Sequence, residues 1–119
     1  MQPDRASSCR ILSLVNIKGG VGKTTSALFI AFGLAQLGFR TLLIDMDPQC
    51  NATYTILRRL NEGPEDSLYE VLNEERSRPI REIIKTTSHS NLFIAPSTLW
   101  LSSTEVELVS MTLREFRLI

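Results

Sequence analysis

Apolar residues along this chain form short runs that are separated by glycine, proline and charged residues. Three runs are nearly continuous, as expected for strands buried on both faces: Arg10 to Asn16, Arg40 to Ile44, and Leu92 to Ala95. Lys23 to Gln36 carries apolar side chains around most of a helix, and Gly38 is well placed to end that helix. Strands connected in this way predict an α/β fold, with a mostly parallel sheet flanked by helices.

The second half of the chain gives weaker patterns. Ser67 followed by Glu70 forms a capping box, which predicts a short helix through Leu72. The apolar spacing from Pro79 to Lys85 predicts a further helical turn. A longer amphipathic pattern with its own capping residues predicts a helix from Thr104 to Leu118.

A glycine-rich segment lies between the first predicted strand and the first helix. It reads Lys18-Gly19-Gly20-Val21-Gly22-Lys23-Thr24-Thr25. A loop that leaves a strand and starts a helix presents backbone N–H groups to phosphate oxygens, and glycine lets the phosphates approach the main chain closely. Lys23 can reach the β- and γ-phosphates, and the Thr24 hydroxyl is placed to ligate Mg²⁺. The segment predicts a nucleotide site formed by Gly19, Gly20, Val21, Gly22, Lys23, Thr24 and Thr25.

Two alternatives remain for this loop. The glycines could form a flexible turn, with Lys18 as an ordinary surface charge. The Thr25 hydroxyl could satisfy a backbone donor in the first turn of the helix without touching nucleotide, so Thr25 ranks behind Thr24.

An acidic segment follows the second predicted strand. It reads Asp45-Met46-Asp47-Pro48-Gln49-Cys50-Asn51-Ala52-Thr53. Carboxylates after a strand that follows a phosphate loop lie at the carboxyl edge of a parallel sheet, where ligands of doubly wound folds bind. The alternative is that Asp45 or Asp47 only caps a short helix that begins near Asn51.

The glycine loop is not the ordinary P-loop pattern, because Ile17 stands where that pattern has its first glycine. With Lys18 at its front, the loop resembles the deviant Walker A motif of the ParA/MinD family of ATPases. The acidic segment resembles the Walker A′ motif of the ParA-type members, with Cys50 in place of the usual glycine. That replacement puts in doubt any turn at this position that needs a positive φ.

The resemblance implies roles for individual residues. Lys18 would reach across a dimer to the phosphates bound by the partner subunit, and Lys23 would contact the phosphates of its own subunit. Asp47 would orient or activate the attacking water, and Asp45 would assist Mg²⁺ through its water shell. The resemblance therefore implies that Lys18, Lys23 and Asp47 take part in catalysis, and that Thr24 and Asp45 serve the metal.

The family also implies a fold and a biological role. It implies a P-loop NTPase that uses ATP and Mg²⁺, forms an ATP-dependent homodimer, and partitions plasmid or chromosomal DNA. Non-specific DNA and a stimulating protein similar to ParB would be its partners. A MinD-like ATPase of division-site placement is the alternative within the family, and Asp47-Pro48-Gln49-Cys50-Asn51 argues against it. A non-catalytic nucleotide-binding or interaction module is the alternative from another class.

Charge and cysteine content add little to this interpretation. Thirteen basic and thirteen acidic residues balance, so the whole sequence gives no electrostatic argument for nucleic acid or membrane. Cys9 and Cys50 lack metal-type or redox-type spacing and indicate free thiols of a reducing compartment. With no apolar run of membrane-spanning length, we expect a cytoplasmic protein without a membrane segment.

Family members carry a Walker B strand ending in aspartate after the helix predicted at Thr104 to Leu118. No such strand follows in this sequence. We therefore expect residues 1–119 to be the incomplete amino-terminal part of a single ParA-like domain. Its parent would be a Mg²⁺-dependent ATPase, and this part alone would be inactive.

Overall fold

The computed structural model describes residues 9–15, 22–60 and 63–102. The described residues form α-helices, strands and one 3₁₀ helix, which are, in chain order, α1 (Lys23–Gln36), β1 (Thr41–Ile44), α2 (Asn51–Leu57), α3 (Leu68–Leu72), the 3₁₀ helix (Ile80–Glu82), β2 (Lys85–Thr86) and β3 (Leu92–Ala95). The helix predicted at Thr104 to Leu118 lies outside these residues.

The strands form one sheet in the order β1, β3, β2. β1 and β3 run parallel, with Thr41 opposite Leu92 and Ile44 opposite Ala95, so both strands end at the same edge. β2 runs antiparallel to β3. The α/β class and the parallel pair are as predicted, but β2 was not predicted. The turn expected from Pro79 to Lys85 is shorter than expected, because only Ile80–Glu82 is helical.

Helix α1 has the predicted bounds, and its end is set by glycine. Gly38 has φ 90°, and its N–H donates to Ala35 O at 3.0 Å, while the Phe39 N–H donates to Leu34 O at 3.1 Å. This pair of bonds satisfies the last carbonyls of the helix and needs a left-handed residue at Gly38. The prediction that Gly38 ends the helix is confirmed.

The strand predicted at Arg10 to Asn16 is wrong for the residues that the structure describes. Residues 9–15 have no strand conformation, and Asn16 lies outside the described residues. Ile11, Leu12 and Val15 are 87%, 65% and 85% exposed. A strand needs a neighbour to pair with, and none of the described strands lies beside this run, so its apolar pattern alone does not make it a strand.

Two apolar clusters pack on either end of β3. One contains Ala95 and the residues Leu68, Val71, Leu72, Ile83 and Leu101. The other joins Leu92 to Ala31 and Ala35 of α1. Because β3 is the central strand and contributes to both clusters, it connects the core that supports α1 with the core that supports α3.

Ser67 begins α3 in a modified form of the predicted capping box. Its hydroxyl oxygen accepts the Tyr69 N–H at 3.3 Å, as an N-cap residue does. The Glu70 carboxylate accepts the Asp66 N–H at 3.0 Å, instead of the Ser67 N–H that a capping box requires.

Candidate active site

The start of α1 can accept an anion. Gly22 is the N-cap residue with φ 78°, and no described side chain caps the helix or places an acid in its first turn. The first N–H groups of a helix need acceptors, and the helix dipole favours a negative charge there. A phosphate therefore fits this end of α1 by charge and by hydrogen bonding.

Only part of the predicted nucleotide loop is described. Gly22, Lys23, Thr24 and Thr25 are described, with Lys23 and Thr24 half-buried and Thr25 exposed. The other predicted loop residues, Lys18, Gly19, Gly20 and Val21, lie outside the described residues. The phosphate and metal roles of the loop therefore stay predictions.

Asp45 is buried at the end of β1, with 6% of its surface exposed, and its carboxylate is held by protein groups. Oδ2 accepts the Thr53 N–H at 2.9 Å and the Thr53 hydroxyl at 2.6 Å. Oδ1 accepts the Asp47 N–H at 3.1 Å. Thr53 lies in the first turn of α2, so Asp45 is the acid that caps this helix.

Asp47 does not contact the start of α2 through its side chain. Its Oδ1 accepts the Gln49 N–H at 2.9 Å, which closes a tight turn. Its main-chain oxygen accepts the Cys50 N–H at 2.9 Å and also the Ser97 hydroxyl. Among the described residues, Oδ2 of Asp47 accepts no hydrogen bond.

Cys50 keeps the glycine-like conformation in spite of its side chain. It has φ 60° and ψ 25°, a left-handed conformation that costs a non-glycine residue about 1–2 kcal/mol. The side chain is buried, and its thiol donates to Pro48 O at 3.3 Å. Burial raises the pKa of the Cys50 thiol, and the nearby carboxylates of Asp45 and Asp47 raise it further, against a lowering by Ser97.

Ser97 connects this segment to the end of β3. Its N–H donates to Thr53 Oγ1 at 2.9 Å. The strand ends are also joined directly, because the Asp45 N–H donates to Ala95 O at 3.2 Å. The roles of Thr53 and Ser97 were not predicted. A signal existed for Ser97, since it lies two residues after a strand that runs parallel to β1 and ends at the same edge.

The described residues do not by themselves form a complete Mg²⁺ site. Within residues 9–15, 22–60 and 63–102, no group of three or more His, Cys, Asp and Glu side chains is placed to hold a metal ion. Magnesium commonly keeps several waters and binds through few protein ligands together with substrate phosphates. The Thr24 hydroxyl beside a bound phosphate suits that form of binding.

Within residues 9–15, 22–60 and 63–102, no helix is long and apolar enough to cross a bilayer.

The chain is similar in sequence to known proteins. The sequence pattern of a family described as an AAA domain matches residues 9–119. Chromosome partitioning protein ParA of Myxococcus xanthus (strain DK1622) is 45% identical over 109 residues, covering 92% of this chain and 38% of that protein. Sporulation initiation inhibitor protein Soj of Bacillus subtilis (strain 168) is 40% identical over 109 residues, covering 92% of this chain and 42% of that protein.

A solved structure extends the similarity to the fold. Cobyrinic acid a,c-diamide synthase from Mycobacterium smegmatis, with bound ATP analog and magnesium, has a TM-score of 0.76 and 31% identity, covering 87% of this chain and 41% of that one. The chain spans about two fifths of the length of the relatives it matches. The predicted P-loop α/β class and the predicted resemblance are confirmed: the chain belongs to the AAA domain family AAA_31 and is of the ParA/Soj type.

Proposed function

We propose that this chain is the nucleotide-binding, amino-terminal part of a ParA-like, Mg²⁺-dependent ATPase that partitions plasmid or chromosomal DNA. The observation that carries this proposal is the start of α1, a 14-residue helix that begins at Gly22-Lys23-Thr24 without a side-chain cap. A polyphosphate satisfies the exposed N–H groups and the Lys23 charge together.

The proposed chemistry divides between the start of α1 and the acidic segment that follows β1. Lys23 and the start of α1 bind the phosphates, and Thr24 is the protein ligand of Mg²⁺. The metal, when bound, neutralises charge that develops on the transferred phosphoryl group. Asp47 orients the attacking water through Oδ2. Asp45 keeps an unused lone pair on Oδ1, which can accept a hydrogen bond from a metal-bound water, in addition to the bonds that hold it in place.

The family resemblance supplies the rest of the proposal. Lys18 would act across an ATP-dependent homodimer, the dimer would bind non-specific DNA, and a ParB-like protein would stimulate hydrolysis in the cytoplasm. We further propose that residues 1–119 form part of one larger domain. The relatives' greater length and the exposed apolar side chains of residues 9–15 support this.

The phosphate role is tested by Lys23→Ala in the full natural protein. One charged hydrogen bond contributes about 1.5–3 kcal/mol, so the dissociation constant for ATP should rise about tenfold to a hundredfold. Isothermal titration calorimetry with Mg²⁺-ATP measures it. Lys85→Ala is the matched control. Lys85 lies on strand β2, is half-buried like Lys23, and pairs with the Asp66 carboxylate at 3.5 Å. Equal ATP affinity in both variants would remove the nucleotide site from the proposal.

The partitioning role is tested by nucleotide-dependent binding. ATP with Mg²⁺ should promote both dimerisation and binding to DNA of unrelated sequence, and Lys18→Ala should prevent both while leaving ATP affinity within about threefold of the original protein. Sedimentation velocity and a DNA mobility assay measure the two responses. Binding to anionic vesicles instead of DNA would favour the division-site alternative.

A further inference from the structure

We infer that Thr53 and Ser97 are positioning residues for Asp47. The inference rests on the proposed function in one respect, namely that Asp47 orients the attacking water. Neither residue touches nucleotide or water in this proposal. They act through a closed ring of hydrogen bonds, which we call the clasp and define as Asp45, Asp47, Thr53 and Ser97.

The direction of each bond in the clasp is fixed by chemistry. An ionised carboxylate can only accept, so the single hydroxyl proton of Thr53 points to Asp45 Oδ2 at 2.6 Å. The Thr53 oxygen is then an acceptor, and the Ser97 N–H donates to it at 2.9 Å. Thr53 therefore links the end of β1 to the segment that follows β3. Valine has the same shape and can make neither bond.

The other half of the clasp fixes the main chain of Asp47. The Asp47 N–H donates to Asp45 Oδ1 at 3.1 Å, and the Ser97 hydroxyl donates to Asp47 O. The backbone of Asp47 is thus held on both sides, while its Oδ2 is left open among the described residues. This is the arrangement expected where a side chain must present one oxygen in a defined place.

Three of the four residues of the clasp are buried, so their hydrogen bonds are not easily replaced by water. Asp45, Thr53 and Ser97 are each less than a tenth exposed. Hydrogen bonds are stronger in such surroundings, and a buried polar group that loses its partner has no water to replace it. Loss of the Thr53 hydroxyl should therefore shift Asp45 and Ser97, and Asp47 with them. Small displacements of a positioning group reduce the rate of a reaction much more than they reduce binding.

The test compares ATP turnover and ATP affinity in the full natural protein. Thr53→Val should lower kcat at least tenfold and leave the dissociation constant for ATP within about threefold of the original, and Thr53→Ser should restore kcat. Thr55→Val is the matched control, because Thr55 is an exposed threonine of α2 whose hydroxyl donates only to Asn51 O at 2.8 Å. It should change kcat less than twofold.

A double variant separates positioning from general stability. If Thr53 acts through Asp47, adding Thr53→Val to Asp47→Ala should lower kcat by less than twofold beyond Asp47→Ala alone. A full further tenfold loss would show an independent role and would overturn the inference. A normal kcat in Thr53→Val, with Asp47→Ala strongly impaired, would overturn it as well.

A measurement without turnover keeps the inference testable even if the proposed function fails. Hydrogen exchange at the Asp47 amide reports whether the clasp holds that residue. In Thr53→Val this exchange should be at least tenfold faster, and in Thr55→Val it should be unchanged. Equal exchange in Thr53→Val and the original protein would overturn the inference. Failure of the proposed function would appear differently, as unchanged ATP affinity in Lys23→Ala.

Discussion

The clasp and the amino-terminal side of the molecule are built in opposite ways. In the clasp, Asp45, Thr53 and Ser97 are buried polar residues that satisfy one another. On the amino-terminal side, apolar residues are exposed, including Ile11 at 87% and Phe29 on α1 at 75%. The difference teaches that the polar side chains of the clasp find their partners within the described residues, whereas the apolar side chains of residues 9–15 do not.

The outer face of α1 shows the same lack of packing. A surface groove of about 480 Å³ is lined by residues of one helix and its C-cap, namely Phe29, Ile30, Gly33, Leu34, Gln36 and Leu37. Contiguous exposed apolar surface of this kind marks places where other protein packs. It supports the proposal that these residues belong to a larger domain. Nothing in the groove belongs to the site residues, so it is not a candidate for nucleotide binding.

The largest effect expected from this contrast is on stability. Ile94 is fully buried in the central strand β3, so Ile94→Ala should lower the free energy of unfolding by about 2–5 kcal/mol. Ile11→Ala removes the same atoms from an exposed position and should change it by less than about 0.5 kcal/mol. Urea denaturation followed by circular dichroism measures both. An equal loss in the two variants would mean that residues 9–15 are packed after all.

A smaller effect is expected within the clasp itself. Asp45→Ala removes the acceptor of three hydrogen bonds and leaves buried donors without partners, so it should lower the free energy of unfolding by about 2–3 kcal/mol. Asp47→Ala removes one acceptor at a half-buried turn and should lower it by less than about 1 kcal/mol. The same denaturation measurement ranks the two, and the reverse order would contradict the assignment of Asp45 as the buried support.

The smallest effect is that of acid on the ion pairs of Asp66 and Glu70 with Arg78, which lie outside both regions. A hydrogen bond from Arg78 and the charge of Lys85 lower the pKa of Asp66. Burial raises the pKa of Glu70, but hydrogen bonds from Arg78 and the Asp66 N–H outweigh it and leave that pKa below its usual value. A carboxyl group with a lowered pKa stabilises the fold above its unfolded pKa, and this stability is lost as the pH falls through the lower, folded value.

The unfolding midpoint should therefore fall slightly as the pH drops below about 4, near the ordinary carboxyl pKa values. Each pair contributes little, because Asp66 is half-exposed. Thermal unfolding between pH 3 and 7 measures the effect. Arg78→Gln should flatten the acid part of this curve, and Arg40→Gln, a change of an exposed arginine that lies over the Phe93 ring, should leave it unchanged. An identical acid slope in Arg78→Gln would show that the carboxylates titrate independently of it.

Local signals predicted several elements well. The bounds of α1 and of β3 agree with the sequence. Gly38 can adopt the left-handed conformation that ends a helix, and Pro96 lacks the N–H that a continuing strand would need. Ser67 likewise marks the start of α3. Where a boundary depends on one residue and its immediate neighbours, the pattern contains the information that is needed.

The features that the sequence did not predict depend on distant partners. The run at residues 9–15 is apolar enough for a strand, but pairing decides the outcome, and no pattern states which strand lies alongside. β2 has only two residues, too few to show a period. The bond between Thr53 and Ser97 joins side chain and backbone across 44 residues, and polar contacts of that separation leave no periodic trace.

Alkylation of the buried Cys50 thiol can report local opening of the clasp. Thiolate is the species that reacts with alkylating reagents, and burial together with a raised pKa leaves Cys50 almost unreactive in the closed form. Cys9, which is exposed, would react first and can be blocked in advance. The remaining labelling rate then measures how often the loop around Asp47 opens. The cysteine that stands here in place of glycine is therefore a built-in probe of local opening at this loop.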